Sequence, residues 1–291
     1  MAAAQRLMAY AQLYARALPI AVAKFVAVDG WALASHVALS GLTALFPFLI
    51  FLGALAGLFG QYGLAERASG MLFEIWPPEV AGPIAREVHN VLTVPRTGLA
   101  LFGAVAGLYF AASAVEAMRL GLNRAYQLED ERPLWRLYLN SLTFVLIGGA
   151  MLLAFTFLVV LAPLIWAQVL RRAPALAPLT EIVTLLRLGA TLALMFVTIS
   201  LLHRNLPAVR HSFAARLPGV GLTCVLWIAA GEIFGAYLER FSGSYISTYA
   251  GLGSIMAAIV FLYILSALFL FGGAFNAAIA EAKPAPDPSS K

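Results

Sequence analysis

Six long apolar stretches dominate this sequence: Gly30 to Ala65, Thr97 to Val115, Leu137 to Leu170, Thr180 to Leu202, Leu217 to Leu238 and Phe241 to Ala280. A helix of about 20 apolar residues crosses the hydrocarbon core of a bilayer. Each stretch is long enough for one crossing, and none holds a plausible central turn for two. Composition points the same way. Hydrophobic residues make up 62% of the chain and charged residues 11%, whereas a soluble domain carries roughly a quarter charged residues to cover its surface. The expected fold class is therefore an all-α integral membrane protein with six transmembrane helices, at about 36–60, 97–118, 139–170, 180–202, 217–238 and 249–278.

The remaining segments divide around those spans. Residues 1–30 are expected to form an N-terminal interfacial amphipathic helix, because apolar and basic positions alternate from Gln5 to Val28, with a break at Pro19. Arg6, Arg16 and Lys24 interrupt every early apolar run, so no signal-peptide core is expected there. Leu64 to Leu92 mixes charges with regularly spaced apolar residues, and Pro77, Pro78 and Pro83 divide it. Two short amphipathic surface helices after the first span are expected. Residues 31–280 are expected to form the membrane domain, and 281–291, rich in Pro and Ser, a disordered tail. The lone Cys224 lies in an apolar run and reads as a small buried hydrophobe.

The net charge of +5 on a soluble protein would suggest nucleic acid. On six spans it reports orientation, and no nucleic-acid partner is expected. One side, shared by both termini, carries Arg6, Arg16, Lys24, Arg119, Arg124, Arg132, Arg136, Arg204, Arg210, Arg216, Lys283 and Lys291. The other carries only Arg67, Arg86, Arg96, Arg171, Arg172, Arg187 and Arg240. The positive-inside rule places the termini in the cytoplasm, where anionic lipid head groups are the expected partners.

Motifs for familiar chemistry are missing: no GxxxxGK[ST], HExxH, GxSxG or complete GxGxxG occurs. His36, His89, His203 and His211 do not fall into a metal-ligand spacing. The loop from His203 to His211 reads as a solvated interfacial connection. No enzyme activity, catalytic residue, metal or other cofactor is expected. Glycines four apart, at Gly53/Gly57, Gly103/Gly107 and Gly231/Gly235, read as packing stripes within the bundle, with a homo-oligomer as the other use.

Polar residues in or beside spans mark the candidate pathway, because charge in hydrocarbon is costly and usually faces a partner or a wet cavity. Arg187 and Glu232 lie at matched depths in consecutive spans and are expected to pair or to wall one polar cavity. Glu116, Arg119 and Asn123 share one helix face at i, i+3, i+7, and Asn276 ends the last span at comparable depth. Asp29 and His36 open the first span from that same side. Tyr245, Tyr249, Gly251 and Gly253 precede the last span and read as an interfacial anchor or a gate.

Several segments resemble the YihY/BrkB-like membrane proteins, once described as ribonuclease BN-like. They are Ser35 to Gly60, with Pro47 after an aromatic; Ser113 to Tyr126, ending LNRAY; Leu206-Pro207 and Leu217-Pro218-Gly219; and Phe234 to Asn276. Ala250 stands where the family has Gly, and Phe275 replaces a residue that is often polar. The resemblance implies a six-span bacterial inner-membrane protein linked to serum resistance and envelope lipid handling. It favours a transporter or flippase-like role for a lipid, amphiphile or ion. The alternative is a non-transporting scaffold for envelope biogenesis. The ribonuclease name is a misassignment by the same resemblance.

Overall fold

The structure, a computed structural model, describes residues 2–58, 97–249 and 253–282. The surface helices expected between Leu64 and Leu92, together with Gly251 and residues 283–291, lie outside the described residues. The chain is helical throughout what is described: α1 (Ala2–Ala27), α2 (Gly30–Leu58), α3 (Thr97–Ala125), α4 (Leu134–Thr156), α5 (Ala162–Arg172), α6 (Thr180–Asn205), α7 (Phe213–Tyr249) and α8 (Gly253–Ala282). Six helical stretches are long and apolar enough to cross a membrane, so the protein is a multi-pass membrane protein. Within them Thr143, Thr156, Thr191, Thr198, Thr223 and Ser266 donate their hydroxyls to the carbonyl four residues back. Four of the six stretches thereby satisfy these hydroxyls within their own helix, as an environment without water favours.

Local chemistry explains the irregular points. Pro163 has no N–H for the Val159 carbonyl, and its ring crowds that oxygen. The chain absorbs this with a π turn at Phe157–Leu161, where the Ala162 N–H reaches back to the Phe157 carbonyl. A short 3-10 turn, Pro174–Leu179, then leads into α6, and Trp166 Nε1 donates to Thr180 Oγ1 at 3.3 Å beside it. α1 does not break at Pro19 as expected. Ala17 and Ala21 are fully buried against Phe275, Ala278 and Ile279 of α8, and this contact holds the helix across the missing hydrogen bond. Phe275, apolar where the resembled family is often polar, therefore belongs to the α1–α8 core, with Tyr14 against its ring. Glu281 does not begin a disordered tail: α8 runs to Ala282, and Lys24 Nζ meets Glu281 Oε2 at 2.9 Å.

The chain clusters into two compact units. One comprises Met1–Gly30, Arg119–Trp227 and Leu268–Lys291; the other comprises Trp31–Met118 and Ile228–Ala267. In the second unit Val37 packs on Ala114, Ala117 and Met118, and Phe234 stacks on Phe261. Gly107 sits against the Phe48 backbone, 3.3 Å from where its Cβ would be, so at this glycine α3 packs closely on α2. Gly231 and Gly235 have nothing within 4 Å of their would-be Cβ atoms. The first unit holds the polar cluster described next.

Candidate functional site

The end of α3 builds the site. The helix stops in a left-handed turn at Gln127 (φ 56°). Gln127 N–H donates to the Arg124 carbonyl and Leu128 N–H to the Asn123 carbonyl, the paired bonds of a Schellman motif. That reversal folds Asp130 back onto its own helix. Arg119 Nη1 donates to Asp130 Oδ2 at 2.6 Å, and Asn123 Nδ2 donates to the same oxygen at 3.1 Å. Arg132 grips the carboxylate with both prongs, Nε on Oδ1 and Nη2 on Oδ2, each at 2.7 Å. The Arg132 fork, helped by Arg119 and opposed by burial, holds the Asp130 carboxyl well below the usual carboxylate range. Arg132 Nη2 also donates to the Leu206 carbonyl at 3.2 Å. Asn123 Oδ1 accepts the Ala208 N–H at 2.8 Å, so the loop after α6 is tied to the end of α3.

A second asparagine ties α8 to α7. Pro218, inside α7, leaves a gap in the helical hydrogen bonds. Beside that gap Asn276 Oδ1 accepts the Gly219 N–H at 2.6 Å, and Asn276 Nδ2 donates to the Arg216 carbonyl at 3.0 Å. Burial has pushed the pKa of the Tyr126 hydroxyl up to about 12. Backbones must approach closely for the Asn276 bonds. A Cβ on Gly219 would strike the Gly272 carbonyl, and one on Gly272 would strike Thr223 Oγ1. Only glycine fits at either place.

Arg216 lies at the centre of this region and is 5% exposed. Its Nη1 donates to the Ser200 carbonyl at 2.6 Å and to Ser200 Oγ at 3.2 Å, and its Cζ lies 5.6 Å from the Phe213 ring centroid. Its Nε is buried without a partner, as is His211 Nε2. The His211 ring stacks on Tyr126 with centroids 4.2 Å apart, and burial, then the nearby Arg216 charge, lowers its pKa. Among the described residues no carboxylate forms an ion pair with Arg216. His203, expected in a solvated loop, is fully buried and donates Nδ1 to the Ile199 carbonyl at 3.0 Å. Leu206 and Pro207 are buried with it. Helix α6 runs through His203 to Asn205, which is why the loop is shorter than its polar residues suggest.

Of the expected pathway residues, Arg119, Asn123 and Asn276 therefore enter two linked networks. Glu116 is half-buried in the second unit. Arg187 is half-buried on α6 in the first unit, and Glu232 is exposed on α7 in the second. Tyr245 and Tyr249 lie in the last turns of α7, and Gly253 opens α8. Sequence reading passed over Asp130, Arg132, Tyr126 and Arg216 as site residues. Their one signal was proximity to the LNRAY segment and to Pro218-Gly219. Among the described residues no group of three His, Cys, Asp or Glu side chains is placed to hold a metal ion.

The residues joined here, Asn123, Tyr126, Leu206, Pro207, Gly219 and Asn276, are those that carried the family resemblance. The model of the virulence factor BrkB family matches residues 21–291. This chain belongs to that family. A BrkB-family relative, YfkH of Bacillus subtilis (strain 168), is 26% identical over 264 residues, covering 89% of this chain and 93% of YfkH. Its name describes it as ribonuclease-like only provisionally. No solved structure matches this BrkB-family chain. The family name denotes no enzyme class and leaves the activity open.

Proposed function

We propose that this BrkB-family protein is a transporter or flippase-like protein for a lipid, amphiphile or ion, with no enzymatic activity. We place it in the bacterial inner membrane with both termini cytoplasmic. One observation carries the reading. Arg216 is buried within a membrane-spanning stretch without a carboxylate partner among the described residues, held in position by Ser200. A cation in that setting is expensive, and membrane proteins keep such groups mainly for substrates, ions or voltage. Arg119, Asn123 and Asn276 shape the same region. Glu116, Arg187 and Glu232 are proposed as further pathway residues, and Tyr245, Tyr249, Gly251 and Gly253 as a gate or anchor. Anionic head groups on the cytoplasmic side remain the proposed partners, together with a second copy of the chain.

The test is reconstitution of the full-length protein into liposomes carrying a fluorescent phospholipid analogue in both leaflets. A membrane-impermeant reductant bleaches about half the signal when lipids stay in place and nearly all when they cross. Bleaching beyond half, lost in Arg216→Gln, supports the proposal. Bleaching that stops at half, together with no ion flux in the same vesicles, overturns it. Reporter fusions at each terminus test the orientation. A scaffold role is the second reading, favoured by the open Gly231/Gly235 stripe on α7. Stable co-purification through that stripe without lipid movement supports it.

A further inference from the structure

We propose that Arg216, together with His211 and Tyr126, forms a binding site for a tetrahedral phosphate-type oxyanion. A guanidinium offers such an anion its Nε–Nη edge, the side-on fork that matches two oxygens at once. This molecule shows that edge in use. Arg132 places Nε and Nη2 on the two oxygens of Asp130, each at 2.7 Å. At Arg216 the same edge is prepared, and among the described residues no carboxylate pairs with it. Nη1 is fixed by Ser200, Phe213 lies against the guanidinium, and Nε is buried with nothing to donate to. The neighbours do not supply the missing charge. Tyr126 stays protonated at neutral pH. The nearby Arg204 is also cationic. His211 Nε2 is a second buried nitrogen without a partner, and its neutral ring offers an N–H to an anion in one tautomer.

The chemistry selects the class of ligand. A carboxylate holds only two oxygens in one plane, as Asp130 presents them to the Arg132 fork. A phosphate has oxygens to spare for the Arg216 edge, the His211 ring and the Tyr126 hydroxyl together. Its source is a phospholipid head group or free inorganic phosphate. The site deepens the transport reading, which rests on the same Arg216, and its failure is distinguishable because binding is measured without any lipid crossing a membrane.

The test uses the full-length protein in detergent micelles made from a phosphate-free glycoside detergent. Inorganic phosphate and, separately, phosphatidylglycerol are titrated while thermal unfolding and native mass spectra are recorded. Saturable stabilisation by phosphatidylglycerol, with retained lipid in the spectra and no response to phosphate, assigns a lipid head group. Stabilisation by both, each competing with the other, assigns the phosphoryl group alone. Arg216→Gln is expected to weaken binding at least tenfold, and His211→Ala severalfold. The second variant keeps the test valid where the first fails to fold. Binding unchanged in a folded Arg216→Gln protein, or unchanged in His211→Ala where Arg216→Gln does not fold, overturns the proposal. Wild-type protein that binds neither probe also overturns it.

Discussion

Asn123 accepts the backbone N–H of Ala208 through Oδ1 at 2.8 Å, joining two residues 85 positions apart in the chain. Its amide nitrogen is committed to Asp130 at 3.1 Å, so both ends of one side chain are spent. Replacing Asn123 with Ala leaves a backbone N–H without its acceptor and removes a donor from a half-buried carboxylate. The expected loss is about 2 kcal/mol, read as a lower melting temperature of the purified protein.

Asp130 neutralises two arginines. Asp130→Asn leaves Arg119 and Arg132 facing each other without the carboxylate between them, and the expected loss is about 3 kcal/mol. Arg132→Lys is expected to cost less than Asp130→Asn but more than a surface change, because an ammonium cannot grip both oxygens. Melting curves of the variants in one detergent rank them.

Gln127 is a left-handed residue with a side chain where helices usually end in glycine. Gln127→Gly removes the steric cost of that conformation and is expected to stabilise the protein by about 1 kcal/mol. A melting temperature unchanged or lowered would show that the Gln127 side chain contributes more than its backbone strain.

The Gly219–Gly272 approach leaves no room for a methyl group. Gly219→Ala is expected to cost about 3 kcal/mol or to prevent correct packing of α7 on α8. Gly221→Ala, two residues on with open space around its would-be Cβ, serves as the control. It is expected to be neutral or to stabilise by up to about 1 kcal/mol through helix propensity. Expression and monodispersity of the two proteins, followed by melting, make the comparison.

Two pH windows are expected. Burial and Arg216 lower the His211 pKa, so on acidification the unfolded chain takes up this proton first. The His211 contribution is full above the ordinary histidine pKa of about 6.5 and is lost as pH falls below it. The Asp130 carboxyl is also lowered. Its contribution is full above about pH 4 and is lost on further acidification. His211→Gln is expected to flatten the first fall and Asp130→Asn the second, each read as the difference from wild type in melting temperature against pH.

The membrane class and the six spans were legible because apolar length is a direct physical requirement of a bilayer. Arg119 and Asn123 were legible as a shared helix face, and Asn276 as a polar residue at the end of an apolar span. Their partner Asp130 was not, because it returns to the helix only through the left-handed turn at Gln127, a conformation that glutamine does not advertise. Arg216 was counted as a loop charge for orientation, whereas α7 begins early enough, at Phe213, to bury it. His203 was misread for the same reason at the other end: α6 carries it past the expected end of the span. Pro19 shows the converse error. A local breaker was given full weight, and the packing of Ala17 and Ala21 on α8 overrode it.

The π turn at Phe157–Leu161 adds one residue to a helical turn. One residue corresponds to about 100° of rotation about a helix axis. Every side chain of α5 is therefore phased about a quarter-turn away from the direction that α4 alone would assign it. The third span thus carries two independent helical wheels, and Arg171 and Arg172 take their bearing from the second. A single deletion within residues 157–161 is expected to restore one phase throughout and swing both arginines around the axis, leaving the length of the crossing almost unchanged.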